Sequence, residues 1–204
     1  MPGDALLRAK LTELRNGKVP SEGLYDLMHT FGNENFLEAE PDVVALLNHP
    51  DWEFRGLAVR VLTYHWDLRR YRDELIRLLR RDPEYKVRFH TAGGLGFVFR
   101  DSRDPVVSQA LIDKIRDNNE DTYMRELAYD SLRDVWSKRD PTDFEADPKE
   151  RDKAHDAAPS REERLGILWM WRQEQLLKID WEFVERVERE ILGGNSGSRD
   201  SSTR

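Results

Sequence analysis

Residues 69–81 concentrate basic charge as no other stretch does: Arg69-Arg70-Tyr71-Arg72-Asp73-Glu74-Leu75-Ile76-Arg77-Leu78-Leu79-Arg80-Arg81, six arginines against two acids. Guanidinium forks read phosphate bidentately, so the chemistry this stripe could do is nucleic-acid contact. The competing use is plainer: arginines on the wet face of a helix, paired locally with Asp and Glu. The histidines stand at 29, 49, 65, 90 and 155, and neither His-x-x-x-His nor His-Glu-x-x-His occurs, so the helical zinc spacing is missing. The chain has no cysteine, which removes disulfides, thiolate metal sites and cysteine nucleophiles. Gly93-Gly94-Leu95-Gly96 falls inside a helical pattern rather than after a strand, and G-x-S-x-G is absent, so neither a phosphate loop nor a nucleophile elbow is indicated. These residues specify no reaction. The expectation is a protein that is not an enzyme, with no catalytic residue, cofactor or metal.

The elements that carry them repeat. Three arginines, Arg55, Arg88 and Arg125, stand 33 and 37 residues apart. Phe54, Val87 and Met124 precede them, and Asp51, Glu84 and Asp121 lie four residues earlier. Ala58, Thr91 and Ala128 follow at +3, Leu62, Leu95 and Leu132 at +7, and Trp66, Phe99 and Trp136 at +11. Offsets of −1, +3, +7 and +11 keep one helical face, so each segment is a helix whose apolar stripe recurs in its neighbours. The acid at −4 sits at the helix entrance, where a carboxylate caps free amides and suits the positive dipole end. Before each comes another helical pattern: Pro41–Asn48, residues 69–81 and Pro105–Asp117, joined by the polar turns His49-Pro50-Asp51, Arg81-Asp82-Pro83 and Asp117-Asn118-Asn119-Glu120-Asp121. Helix, tight turn, helix at this period predicts a helical solenoid.

Asp82-Pro83-Glu84-Tyr85-Lys86-Val87-Arg88, followed by Ala92, Leu95 and Gly96, resembles the second-helix motif of HEAT repeats, and of the bacterial HEAT-like proteins related to bilin-lyase repeats. The resemblance covers residues 41–137. It implies an all-α, right-handed α-solenoid of HEAT-like helical hairpins with helical caps at both ends, in which Asp82 and Arg88 help tie neighbouring repeats together. His49 and Asn119 stand where Asp82 does in the other two repeats, so Asp51 and Asp121 are the expected partial substitutes there.

Outside the repeats, residues 1–40 predict an N-terminal helical hairpin: one helix over 4–16 with Gly17 as its stop, a second opened by Pro20-Ser21 and ended by Gly32-Asn33. Residues 138–160 read as a polar linker. Helices over 161–192, the last capped by Asp180, are expected to close the open end of the solenoid or to pack on a second copy, and 193–204 as a disordered tail. No leader and no 18-residue apolar run is present, so a soluble cytoplasmic protein without a membrane partner is expected, as a monomer or a homodimer through its C-terminal helices. Charged residues make up 36% against about 25% in an ordinary domain, which suits a thin layered core. The net charge of −7 lowers the expectation of duplex DNA binding and would suit a basic protein partner.

In HEAT-like arrays the second helices line the concave side. The positions facing away from the first helices include Arg60, Tyr64, Phe89, Gly93, Phe97, Arg100, Glu126, Asp130 and Arg133. Tyr and Phe beside Arg are residue types that anchor protein interfaces, and Gly93 would let a partner approach the backbone; stacking of Phe89 and Phe97 on neighbouring repeats is the alternative. His65 and His90 occupy repeat positions held elsewhere by Val98 and Val135, and by Leu57 and Leu127, which predicts buried histidines. The functional expectation is a protein-interaction module, an adaptor, scaffold or immunity-type binder. Nucleic-acid binding or repair through 69–81, and a cofactor lyase or chaperone by analogy with the bilin lyases, are the alternatives.

Overall fold

The computed structural model describes residues 2–136 and 178–194, and every regular element among them is helical. The elements are α1 (Pro2–Arg15), α2 (Ser21–Asn33), α3 (Glu40–Ala45), α4 (Trp52–Arg60), α5 (Arg72–Arg81), α6 (Tyr85–Val98), α7 (Pro105–Arg116), α8 (Thr122–Trp136) and α9 (Trp181–Gly194). Short 3₁₀ turns lengthen α3 through Leu46–Asn48 and lead into α5 through Arg69–Tyr71. The predicted linker, the helix expected after Ser160 and the terminal tail fall outside the described residues.

Local chemistry sets the boundaries. Asp51 caps α4 by accepting from the Glu53 amide at 2.9 Å, Glu84 accepts from the Lys86 amide at 3.4 Å, and Asp121 accepts from Met124 at 2.7 Å. Asp104 caps α7 through the amides of Val106 and Val107, with Pro105 in the first turn where a missing N–H costs nothing. Past α4 and α6 the chain turns away at Asp67 and Asp101, both with positive φ (52° and 56°), a conformation a short polar side chain tolerates.

Two layers result. Helices α2, α4, α6 and α8 pack in order as one layer, α5, α7 and α9 as the other, and each α5–α6 or α7–α8 hairpin joins the two. The core lies between them and is built from the repeating offsets. Phe54, Val87 and Met124, then Ala58, Thr91 and Ala128, then Leu62, Leu95 and Leu132 are all buried. In α9, Val184 and Val187 are buried while Trp181 and Leu192 stay exposed. Arg116 binds Glu188 at 2.8 Å, and the rings of Tyr129 and Phe183 meet edge to face at 5.9 Å, fixing α9 against α7 and α8.

The polar ladder is where the sequence expectation needs correcting. Arg55 reaches forward to Asp82 of the next unit with both Nε (2.7 Å) and Nη2 (2.8 Å), while Nη1 donates to the carbonyls of His49 and Pro50 in its own turn. Arg88 repeats the pattern with Glu120 at 2.9 and 3.0 Å and the carbonyls of Asp82 and Pro83. Glu120, one residue past Asn119, therefore takes the part of Asp82; Asp51 and Asp121 are helix caps instead. Arg125 donates to the Ile115 carbonyl, with the ring of Trp181 of α9 at 6.0 Å from its guanidinium. Lys114 also binds Glu120, at 2.6 Å.

Two local features were not expected. The end of α4 widens into a π-helical turn over Val61–His65, closed by the Trp66 amide donating to the Val61 carbonyl. Helix α2 ends at Asn33, as expected of the Gly32-Asn33 stop, with Gly32 in its last turn. The His65 ring sits where a Cβ at Gly32 would be, 2.9 Å away, so this glycine serves a close helix approach.

Candidate functional site

On the α4–α6 seam, facing away from the first helices, five of the expected residues come together. Tyr64 leans from the π-helical turn across to α6, and its hydroxyl covers Gly93, which is buried, so the backbone there is closed to the partner approach expected of it; a Cβ there would meet that hydroxyl at 2.5 Å. Phe97, one turn on, meets the Tyr64 ring edge to face with centroids 5.2 Å apart. The Arg100 guanidinium lies 4.1 Å from the centroid of Phe97, and its Nε donates to the Phe97 carbonyl. Arg60 donates to the Tyr25 hydroxyl of α2 at 3.1 Å. Tyr64 and Phe97 are half-buried and Arg100 is exposed.

Phe89 and Asp130 do not join them. Phe89 is 5% exposed and lies parallel to Tyr123 of α8 at 5.3 Å, with an interplanar angle of 3°. Its position, one residue after Arg88, points along the layer into the next repeat rather than out of it. Asp130 is 2% exposed within α8. Glu126 and Arg133 remain half-exposed on that helix.

The seam holds three residues that the sequence reading did not single out. Lys86 places its Nζ 4.5 Å over the ring of Trp52, and Tyr25 supplies the hydroxyl that receives Arg60. Lys86 was legible in principle: extending the exposed face of α6 one turn backwards from Phe89 and Gly93 reaches it.

His90 lies between these cations, half-buried, its Cδ2 3.4 Å from where a Cβ on Gly56 would stand. Burial, and then the charges of Arg60 and Lys86, push its pKa down to about 4. Between the ordinary value of 6.5 and about 4, the unfolded chain takes up a proton that the folded chain refuses, so stability falls on acidification through that range. His90→Gln should lower the difference in unfolding free energy between pH 7 and pH 4.5 by roughly 2 kcal/mol. Urea melts of both proteins at the two pH values measure it; parallel pH dependences would refute the assignment.

The 69–81 stripe is otherwise engaged. Arg70 and the Tyr71 hydroxyl both bind Glu40, Arg72 binds Asp73 (3.0 Å) and Asp104 (3.2 Å), and Arg80 binds Asp113 (2.9 Å). Arg77 donates to Asn48, and Arg69 to the Val98 carbonyl. Most of these partners belong to neighbouring first helices or their turns, so the row staples hairpins together, and the charges of Arg70, Arg72 and Arg80 are paired within the fold. Among the described residues, no group of three or more His, Asp or Glu could hold a metal ion.

Residues 40–133 match the family model of HEAT repeats. Residues 40–133 are HEAT repeats. The match runs from the start of α3 into α8 and takes in the whole Arg55–Asp82 and Arg88–Glu120 ladder. No curated protein and no solved structure matches significantly. HEAT repeats generally serve as scaffolds for protein interactions, and HEAT proteins are typically non-catalytic. No helix among the described residues is long and apolar enough to cross a membrane.

Proposed function

We propose that this chain is a non-catalytic interaction module that captures another protein on the outer face of its second helices, centred on the α4–α6 seam. The observation that carries this reading is the set Arg60, Tyr64, Gly93, Phe97 and Arg100, in which ring edges and guanidinium groups are presented on two tightly stacked helices. Such residues lose little conformational entropy on binding because their neighbours already hold them. An adaptor or scaffold needs no more chemistry than this, and the stacked hairpins supply the rigidity.

The test uses the intact chain as immobilised bait in lysate of its native host, beside Tyr64→Ala and Phe97→Ala. Each substitution forfeits an edge-to-face ring contact worth about 1 kcal/mol and leaves the ladder intact, so folding should survive. A partner retained by the native chain and lost by both variants supports the reading. Equal retention by all three refutes it.

A further inference from the structure

We infer that the segment bound on the α4–α6 seam is an acidic peptide of another protein, with carboxylates matched to Lys86, Arg60 and Arg100. This rests on the seam being the docking face and adds the chemistry of what docks there.

The described cations are held in several ways. Arg8, Arg15, Arg55, Arg70, Arg72, Arg80, Arg88 and Arg116, on helices of both layers, each hold a carboxylate within 3.2 Å, and Arg69, Arg103 and Arg125 lie beside aromatic rings elsewhere in the array. Of the three cations of the seam, Lys86 rests on Trp52, Arg100 on Phe97, and Arg60 on the Tyr25 hydroxyl. Among the described ion pairs none involves any of the three. Neither an aromatic face, as under Lys86 and Arg100, nor a tyrosine hydroxyl, as beside Arg60, neutralises a cation, so each keeps its charge. Arg60 and Lys86 are close enough to His90 for both to disfavour its protonation, which places two of the three charges around one point of the seam.

Spacing narrows the occupant. Lys86 and Arg100 are 14 residues apart, and at the helical rise they are separated by about 20 Å along α6. An extended peptide covers that distance in about six residues, so acids at roughly every third position would meet the three cations. Ring edges of Tyr64 and Phe97 lie between and would take the intervening apolar side chains. A single-stranded nucleic acid is the less suitable occupant. Base stacking needs open ring faces, whereas Lys86 and Arg100 already cover faces of Trp52 and Phe97.

The experiment is fluorescence anisotropy with the full chain at low salt and three labelled probes. One is a twelve-residue peptide with Glu at every third position and Leu between, one is the same peptide with Gln for Glu, and one is a dT12 oligonucleotide. The Glu peptide should bind, the Gln peptide about tenfold more weakly or not at all, and Arg60→Glu with Arg100→Glu should bring the Glu peptide down to the Gln level. Lys86→Glu should act in the same direction, and raised salt should weaken the native interaction. Equal binding of the Glu and Gln peptides, an unchanged affinity after both charge reversals, or tighter binding of dT12 than of the Glu peptide would each overturn the inference. If Tyr64→Ala abolishes partner capture while the charge reversals leave it untouched, the seam stands as the docking face and only its acidic specificity is lost.

Discussion

Asp82→Ala should destabilise the chain by about 3 kcal/mol, the range seen when one member of a buried ion pair is removed. Asp82 exposes 3% of its side chain and Arg55 12%, and the pair is bidentate. Truncating the acid leaves the guanidinium half-satisfied: Nη1 keeps the His49 and Pro50 carbonyls, while Nε and Nη2 lose their acceptor inside the array. The same acid also accepts from the Glu84 amide at 3.0 Å, so the turn into α6 loosens with it. Glu120→Ala should cost a comparable amount, because it strands both Arg88 and Lys114. Equilibrium urea unfolding measures both. Losses below about 1 kcal/mol, as for surface pairs, would show that water enters the ladder and that repeat stacking does not depend on it. The pH dependence gives an independent check. Burial pulls the Asp82 carboxyl up, and the hydrogen bonds from Arg55 and the Glu84 amide outweigh it, leaving it below its ordinary value; Glu120 is held low in the same way by Arg88 and Lys114 against its burial. Their stabilisation is complete above the unfolded values of 3.8 and 4.5 and is lost as the pH falls beneath them. That acid limb should disappear from the variants.

The repeat was legible because its determinants are local and periodic. One helical face carries the arginine and the apolar positions around it, and burial of every member at −1, +3 and +7 follows from that spacing. What the sequence concealed is set by register between helices. Glu120 could not be told from Asp121 as the ladder acid, because the third turn is longer and only the approach of α6 decides which side chain meets Arg88. The π-helical turn at Val61–His65 is a one-residue adjustment that periodicity cannot express, yet it is what aims Tyr64 at Gly93. The exposed face was half legible. Its +5, +9 and +12 positions gave Arg60, Tyr64, Phe97 and Arg100, whereas Gly93 is buried beneath the Tyr64 hydroxyl and Phe89 at +1 turned inward because the partner opposite it, Tyr123, stacks flat on its ring. The arginine stripe misled for a related reason: its carboxylate partners, Glu40, Asp104 and Asp113, lie about thirty residues away in sequence, one repeat along.

Gly96 and Gly93 stand three residues apart on one helix, and the same substitution should separate what holds the array together from what it presents. A Cβ on Gly96 would stand 2.8 Å from the Cα and Cβ of Ser131, in the body of α8, so α6 and α8 would have to move apart to admit it. Gly96→Val should therefore cost about 3 kcal/mol through overpacking, and Gly96→Ala less, since alanine regains up to about 1 kcal/mol of helix propensity. Adding Ser131→Gly should relieve Gly96→Ala only in part, because the clash with the Ser131 Cα remains. At Gly93 the obstructing atom is the Tyr64 hydroxyl, the far end of a side chain that can swing outward. Gly93→Ala should leave stability unchanged or slightly raised, and should weaken partner capture because Tyr64 is displaced from Phe97. Thermal melts and the capture assay on the same two proteins read the contrast directly. Equal destabilisation by the two alanines would mean that Tyr64 is locked as firmly as the α8 backbone, and that the seam belongs to the core rather than to a binding face.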